Sequence, residues 1–161
     1  MPDRPLATEQ ILEMLAKGPA RIAVATATLT PAQLQAAPGS GDWSANEVLA
    51  HLRSCADVWG DCMRVILAQN HPTIRAVNPR LWIKQTNYLQ QEFAPSLQAF
   101  TQQRADLLAL LASLAPEAWL RAATVTGAGK VLERTVHSYA QWLASHERPH
   151  VKQIERLAAY L

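Results

Sequence analysis

The chain has 161 residues with 15 basic and 13 acidic side chains, a net charge of +2 and only two cysteines. That length buries one core and is too short for two, so a single domain over residues 1–161 is expected. Scattered charge without a basic stripe argues against a nucleic-acid partner. No apolar run nears the roughly 18 residues of a membrane span and no leader-like stretch follows Met1, so a cytoplasmic protein without a membrane partner is expected.

Alanine, leucine and glutamine dominate, and no alternating run bounded by hairpin turns stands out, so the chain reads as all-α. The first helix starts near Thr8 as N-cap, with Ile11, Met14, Leu15, Ile22 and Leu29 on one face. Gly18-Pro19 interrupts it, giving two pieces or one kinked rod. Thr30 to Asp42, with Pro31, Pro38, Gly39 and Gly41, reads as a loop closed by Trp43. Ser44-Ala-Asn-Glu47 is a capping box that opens a second helix reaching about Gln69. Cys55 and Cys62 fall on that helix two turns apart, roughly 10 Å, too far for a disulfide.

His71-Pro72 and Asn78-Pro79 bracket an irregular stretch ending at Trp82. A third helical region spans about Arg80 to Leu114, with Pro95 marking a kink or a fresh start. Leu97, Phe100, Leu107, Leu108, Leu111 and Leu114 form its apolar stripe. Pro116 ends it, Gly127 and Gly129 mark a turn, and the last helix runs from about Val131 to Ala159. Four principal helices predict a four-helix up-down bundle with short extra helices in its loops.

The chemistry concentrates in His146-Glu-Arg-Pro-His150. Two imidazoles four positions apart share one helical face, which suits chelation. Stepping by threes and fours, the last helix gives Tyr139, Trp142, His146, His150, Gln153 and Leu157 as a core-facing stripe. The second helix gives Val48, His51, Cys55, Val58 and Cys62, so a third imidazole faces inward. Burying three unpartnered imidazoles costs a few kcal/mol each, a penalty that a shared metal removes. His71, in a loop, and His137, about 180° from His146 around the helix, are expected in solvent.

His146-Glu147-x-x-His150 also matches the bare metalloprotease motif, with Glu147 as general base. The extended pattern wants Gly at 153 and His at 156, where Gln153 and Arg156 stand, and eleven residues after His150 are too few for a distant ligand. Pro149 further breaks the helix that the motif requires, so the protease reading falls and Glu147 is expected beside the metal or at the surface.

Trp43-Ser44-x-x-Glu47-Val48-Leu49-x-His51-Leu52, followed about 95 residues later by His146-Glu147-x-x-His150-x-x-Gln153-Ile154, resembles the DinB-like superfamily of four-helix-bundle proteins. Arg104-x-x-Leu107-Leu108-x-x-Leu111 and the early Gly18-Pro19 fit the same pattern, so the resemblance covers nearly the whole chain. It implies a three-His site at His51, His146 and His150 for a divalent metal, zinc or nickel. Family members include thiol transferases using bacillithiol or mycothiol and a mycothiol-dependent isomerase, and homodimers are common.

Three neutral imidazoles leave a metal its full charge and an open position. A metal-dependent transferase or hydrolase that activates a thiol or a water for a small-molecule substrate is therefore expected. Gln153, Glu147 and Arg104 are the residues placed to assist. Gln153 would orient a ligand; Arg104 would bind an anionic group or snorkel to solvent. Cys55 is either a fourth ligand or a small buried apolar residue, and Asp57 and Trp59 would line the rim of a pocket. The competing expectation is a non-catalytic bundle whose metal is structural or absent and which acts through a dimer surface. A DNA-repair role fails for want of a basic face.

Overall fold

The computed structural model describes residues 4–161. In chain order it contains α1 (Thr8–Thr26), the short α2 (Pro31–Gln35), α3 (Ala45–Ala68), strand β1 (Thr73–Arg75) and the single turn α4 (Pro79–Trp82). These are followed by α5 (Phe93–Ala112), β2 (Ala122–Thr126), β3 (Leu132–Thr135) and α6 (Val136–Tyr160). No helix among the described residues is long and apolar enough to cross a membrane.

The helix starts follow local chemistry. Ser44 Oγ accepts from the Glu47 amide and Glu47 Oε1 accepts from the Ser44 amide, both at 3.1 Å, so α3 begins where the capping box places it. Pro95 stands in the first turn of α5, where a missing amide costs nothing, and marks a fresh start. Gly18-Pro19 does not split α1, which runs as one helix from its N-cap at Ala7, one residue before the expected Thr8.

The four-helix bundle expected from the sequence forms from α1, α3, α5 and α6, with a refinement of helix direction. Leu6 meets Gln141 and Arg21 meets Glu155, so α1 and α6 run parallel. Trp59 stacks on Trp142 while His51 lies by His150, so α3 runs against α6. Arg53 donates to Ser96 and Gln103 to Asp57, so α3 and α5 run the same way and the simple up-down alternation gives way to up-down-down-up. The long connection from Gln69 to Glu92 makes this possible by carrying the chain back along the bundle before α5 starts.

A three-stranded sheet corrects the purely helical expectation. β1 pairs parallel to β2, with Thr73 opposite Thr124, and β2 pairs antiparallel to β3, with Val125 opposite Leu132. Its alternation is too short to register in sequence, since only Ala123 and Val125 of β2 reach the core. Gly127 and Gly129, at φ +84° and +93°, make the turn between β2 and β3. The last helix consequently starts at Val136 rather than near Val131, with Thr135 accepting from the Ser138 amide as its cap.

Two apolar clusters fill the bundle. One gathers Ile11, Leu15, Met63, Leu111 and Leu143; the other gathers Ile22, Leu49, Leu52, Phe100 and Ile154. On α5 Arg104 lies between the two clusters, as do Glu147 on α6 and Gly18 on α1. Arg104 and Glu147 form a buried two-pronged ion pair at that level, with Arg104 also donating to the Leu15 carbonyl at 2.9 Å.

Candidate metal centre

The seam between α3 and α6 brings the predicted histidines together. His51 Nε2 and His146 Nε2 face each other at 3.1 Å, and the ring of His150 lies 4.9 Å, centroid to centroid, from both. His51 is buried, whereas His146 and His150 are half-buried at the edge of the seam. This corrects the stripe expected for the last helix. Its inward face is Tyr139, Ala140, Leu143, Ala144, Glu147, Val151 and Ile154, and Trp142 is 41% exposed. The histidine row is thus rotated off the core axis, toward α3 and solvent.

Cys55, one turn beyond His51, is buried with its Sγ 3.6 Å from His51 Nε2. His51, Cys55 and His146 offer ligand atoms that all lie within 4.8 Å of one another. Donor nitrogens about 2.0–2.1 Å from one tetrahedral ion stand roughly 3.3 Å apart, and a sulfur at about 2.3 Å stands roughly 3.5 Å from such a nitrogen. The observed spacings fit that donor set.

His150 Nδ1 faces Gln153 Oε1 at 3.1 Å. An amide oxygen only accepts, so Nδ1 is the donor in this contact, which leaves Nε2 as the nitrogen available to a metal. Gln153 therefore orients an imidazole rather than reaching for a substrate.

Burial, reinforced by the other two imidazoles and the Arg80 cation, pushes His51 down to about 4. Burial, followed by His150 and Arg80, lowers His146. Both rings are therefore neutral at physiological pH. Burial and the Glu147 charge push the Cys55 thiol up to about 12.

Aromatic side chains wall the site. Trp43 lies 5.3 Å from the His51 ring and stacks 6.4 Å from His150, and Trp59 meets His146 edge-on at 5.1 Å while stacking on Trp142 at 4.4 Å. Arg80 adds a cation at the rim, its guanidinium 5.9 Å from the Trp43 ring. Sequence reasoning passed over Arg80, which it placed only as the approximate start of the third helical region. Its signal was Asn78-Pro79, an N-cap followed by a proline suited to a first helical position.

Other expected assistants are placed elsewhere. Arg104 does not snorkel and Glu147 is not at the surface; each is the other's buried partner. That pairing also counts against the metalloprotease reading, because both Glu147 oxygens are engaged by a buried guanidinium. Asp57 faces away from the histidines and accepts from Trp82, Tyr88 and Gln103. His71 is exposed, as expected, but His137 is half-buried and donates to the Leu6 carbonyl at 2.7 Å, because the N-terminal segment covers that face.

Comparison with curated proteins gives no match. Among solved structures the chain is similar to YfiT from Bacillus subtilis, described as a probable metal-dependent hydrolase with an unusual four-helix bundle topology. The two share 18% identity with a TM-score of 0.81, over 99% of this chain and 92% of that one. At that identity the likeness establishes the fold. The sequence description of the DinB superfamily matches residues 14–154, from α1 through most of α6, and the chain belongs to that superfamily.

Proposed function

We propose that His51, His146 and His150 hold a divalent metal ion, zinc or nickel, and that the protein is a metal-dependent hydrolase or thiol transferase acting on a small molecule. The observation that carries this reading is the convergence of neutral imidazoles, His51 Nε2 on His146 Nε2 at 3.1 Å, on a seam whose outer members are half open to solvent. The description of YfiT as a probable metal-dependent hydrolase supports it. A divalent ion in such a site supplies a Lewis-acid position that favours deprotonation of a water or thiol reaching it. The chain's own residues do the rest: Gln153 fixes the His150 tautomer, Trp59 and Trp43 hold rings in place and limit water, and the half-exposed side admits the substrate.

The test is elemental analysis of tag-free protein, where one divalent ion per chain is expected, falling well below that in His51→Ala and His150→Ala. Parent protein free of stoichiometric metal would end the proposal. A homodimer belongs to the same reading, supported by the exposed apolar side chains Val77, Leu81 and Trp82, and sedimentation equilibrium reports it directly.

A second reading is favoured by the 3.6 Å approach of Cys55 to His51 Nε2. If the thiolate joins the imidazoles, the four-coordinate site is closed and the metal ties α3 to α6 without catalysis. Cobalt substitution separates the two. A thiolate-to-cobalt absorption band that is present without added thiol and absent in Cys55→Ser indicates the closed site; its appearance only on adding an external thiol indicates the open one.

A further inference from the structure

Arg80 is the second residue of α4, and its backbone is pinned against α3. Asn78 Oδ1 accepts from the Arg80 amide at 2.9 Å. The fully buried Ser54, one turn beyond His51, donates to the Pro79 carbonyl at 2.7 Å, and Trp82 Nε1 donates to Asp57 at 3.0 Å. The guanidinium extends from this anchored turn to the Trp43 ring, which itself flanks His51 and His150. Among the described residues it makes no ion pair, and none of its side-chain nitrogens donates a hydrogen bond.

The local charge is therefore uncompensated. Glu147 is taken by Arg104, and Asp57 is taken by Trp82, Tyr88 and Gln103. A divalent ion would add to the positive side. A single guanidinium, with its planar fork of donors, is matched in charge and geometry by one monoanionic carboxylate.

We propose that Arg80 is a specificity-determining residue that binds a carboxylate on the small molecule whose thiol or ester end meets the metal, with Trp43 as the side wall. The substrate or cosubstrate class is thus a short carboxylate-bearing molecule. This rests on the metal reading above and deepens it.

The test uses full-length protein loaded with cobalt(II) and titrated with 3-mercaptopropionate or its neutral analogue 3-mercaptopropionamide, following the thiolate-to-cobalt band. Wild-type protein is expected to bind the carboxylate at least about tenfold more tightly than the amide, the scale of a charge-assisted hydrogen bond. Arg80→Gln is expected to lose that preference while keeping the amide's affinity, and Arg80→Lys to keep part of it. Arg80 is exposed, so these variants should retain the parent unfolding temperature, which is measured alongside. Equal affinities in wild type, or a preference that survives in Arg80→Gln, overturn the assignment of Arg80 and leave the metal site standing. Failure to take up cobalt, or cobalt that responds to neither thiol, overturns the open metal site and this proposal with it.

Discussion

His51 carries its chemistry through burial. The fold keeps it neutral down to about pH 4, whereas an unfolded histidine takes up a proton near 6.5. The unfolded chain therefore binds more protons between those values, and metal-free protein is expected to lose on the order of 2 kcal/mol as pH falls through that window. Urea unfolding at pH 7.5, 5.5 and 4.5 measures it, and His51→Gln should flatten the slope. Glu147 presents the opposite case, a buried charge whose partner is fixed. Glu147→Gln leaves the Arg104 cation buried and uncompensated and should cost about 3–5 kcal/mol, whereas replacing both by apolar residues of similar volume should cost much less. A single variant as stable as the parent in chemical denaturation would show that the pair contributes little.

Among the elements, α6 bears the most tension between sequence and site. Pro149 lies inside it, one residue before His150, and removes the amide that would bond to the Ser145 carbonyl. Pro149→Ala should raise the unfolding temperature, with a gain of about 1–3 kcal/mol from the restored hydrogen bond and relieved clash. If no gain appears, the surrounding packing already absorbs the proline. In α1, Gly18 is present because of its neighbour, since a Cβ there would meet Glu147 Oε1 at 3.0 Å. Alanine's helix propensity favours the swap by about 1 kcal/mol, but crowding costs about 1–3 kcal/mol, so Gly18→Ala should be net destabilising by about 1 kcal/mol in thermal denaturation.

For the whole molecule, a metal on the α3–α6 seam binds only when both helices are in place, so it should stabilise the fold by mass action. At a free zinc concentration about a thousandfold above Kd the gain is about 4 kcal/mol, or roughly 8–16 °C in unfolding temperature for a domain of this size. Scanning calorimetry with zinc, then with excess chelator, checks that the shift appears and reverses. The sequence alone determined the four long helices, because helical periodicity, the Ser44 capping box and the prolines act locally. It also marked His51, His146 and His150, because imidazoles at helical spacing are rare. The short sheet, the shared direction of α3 and α5, the burial of Arg104 on Glu147 and the placement of Arg80 against Trp43 were decided by tertiary structure. Each depends on which helix faces which, and a local pattern of side chains carries no information about its partner across the core.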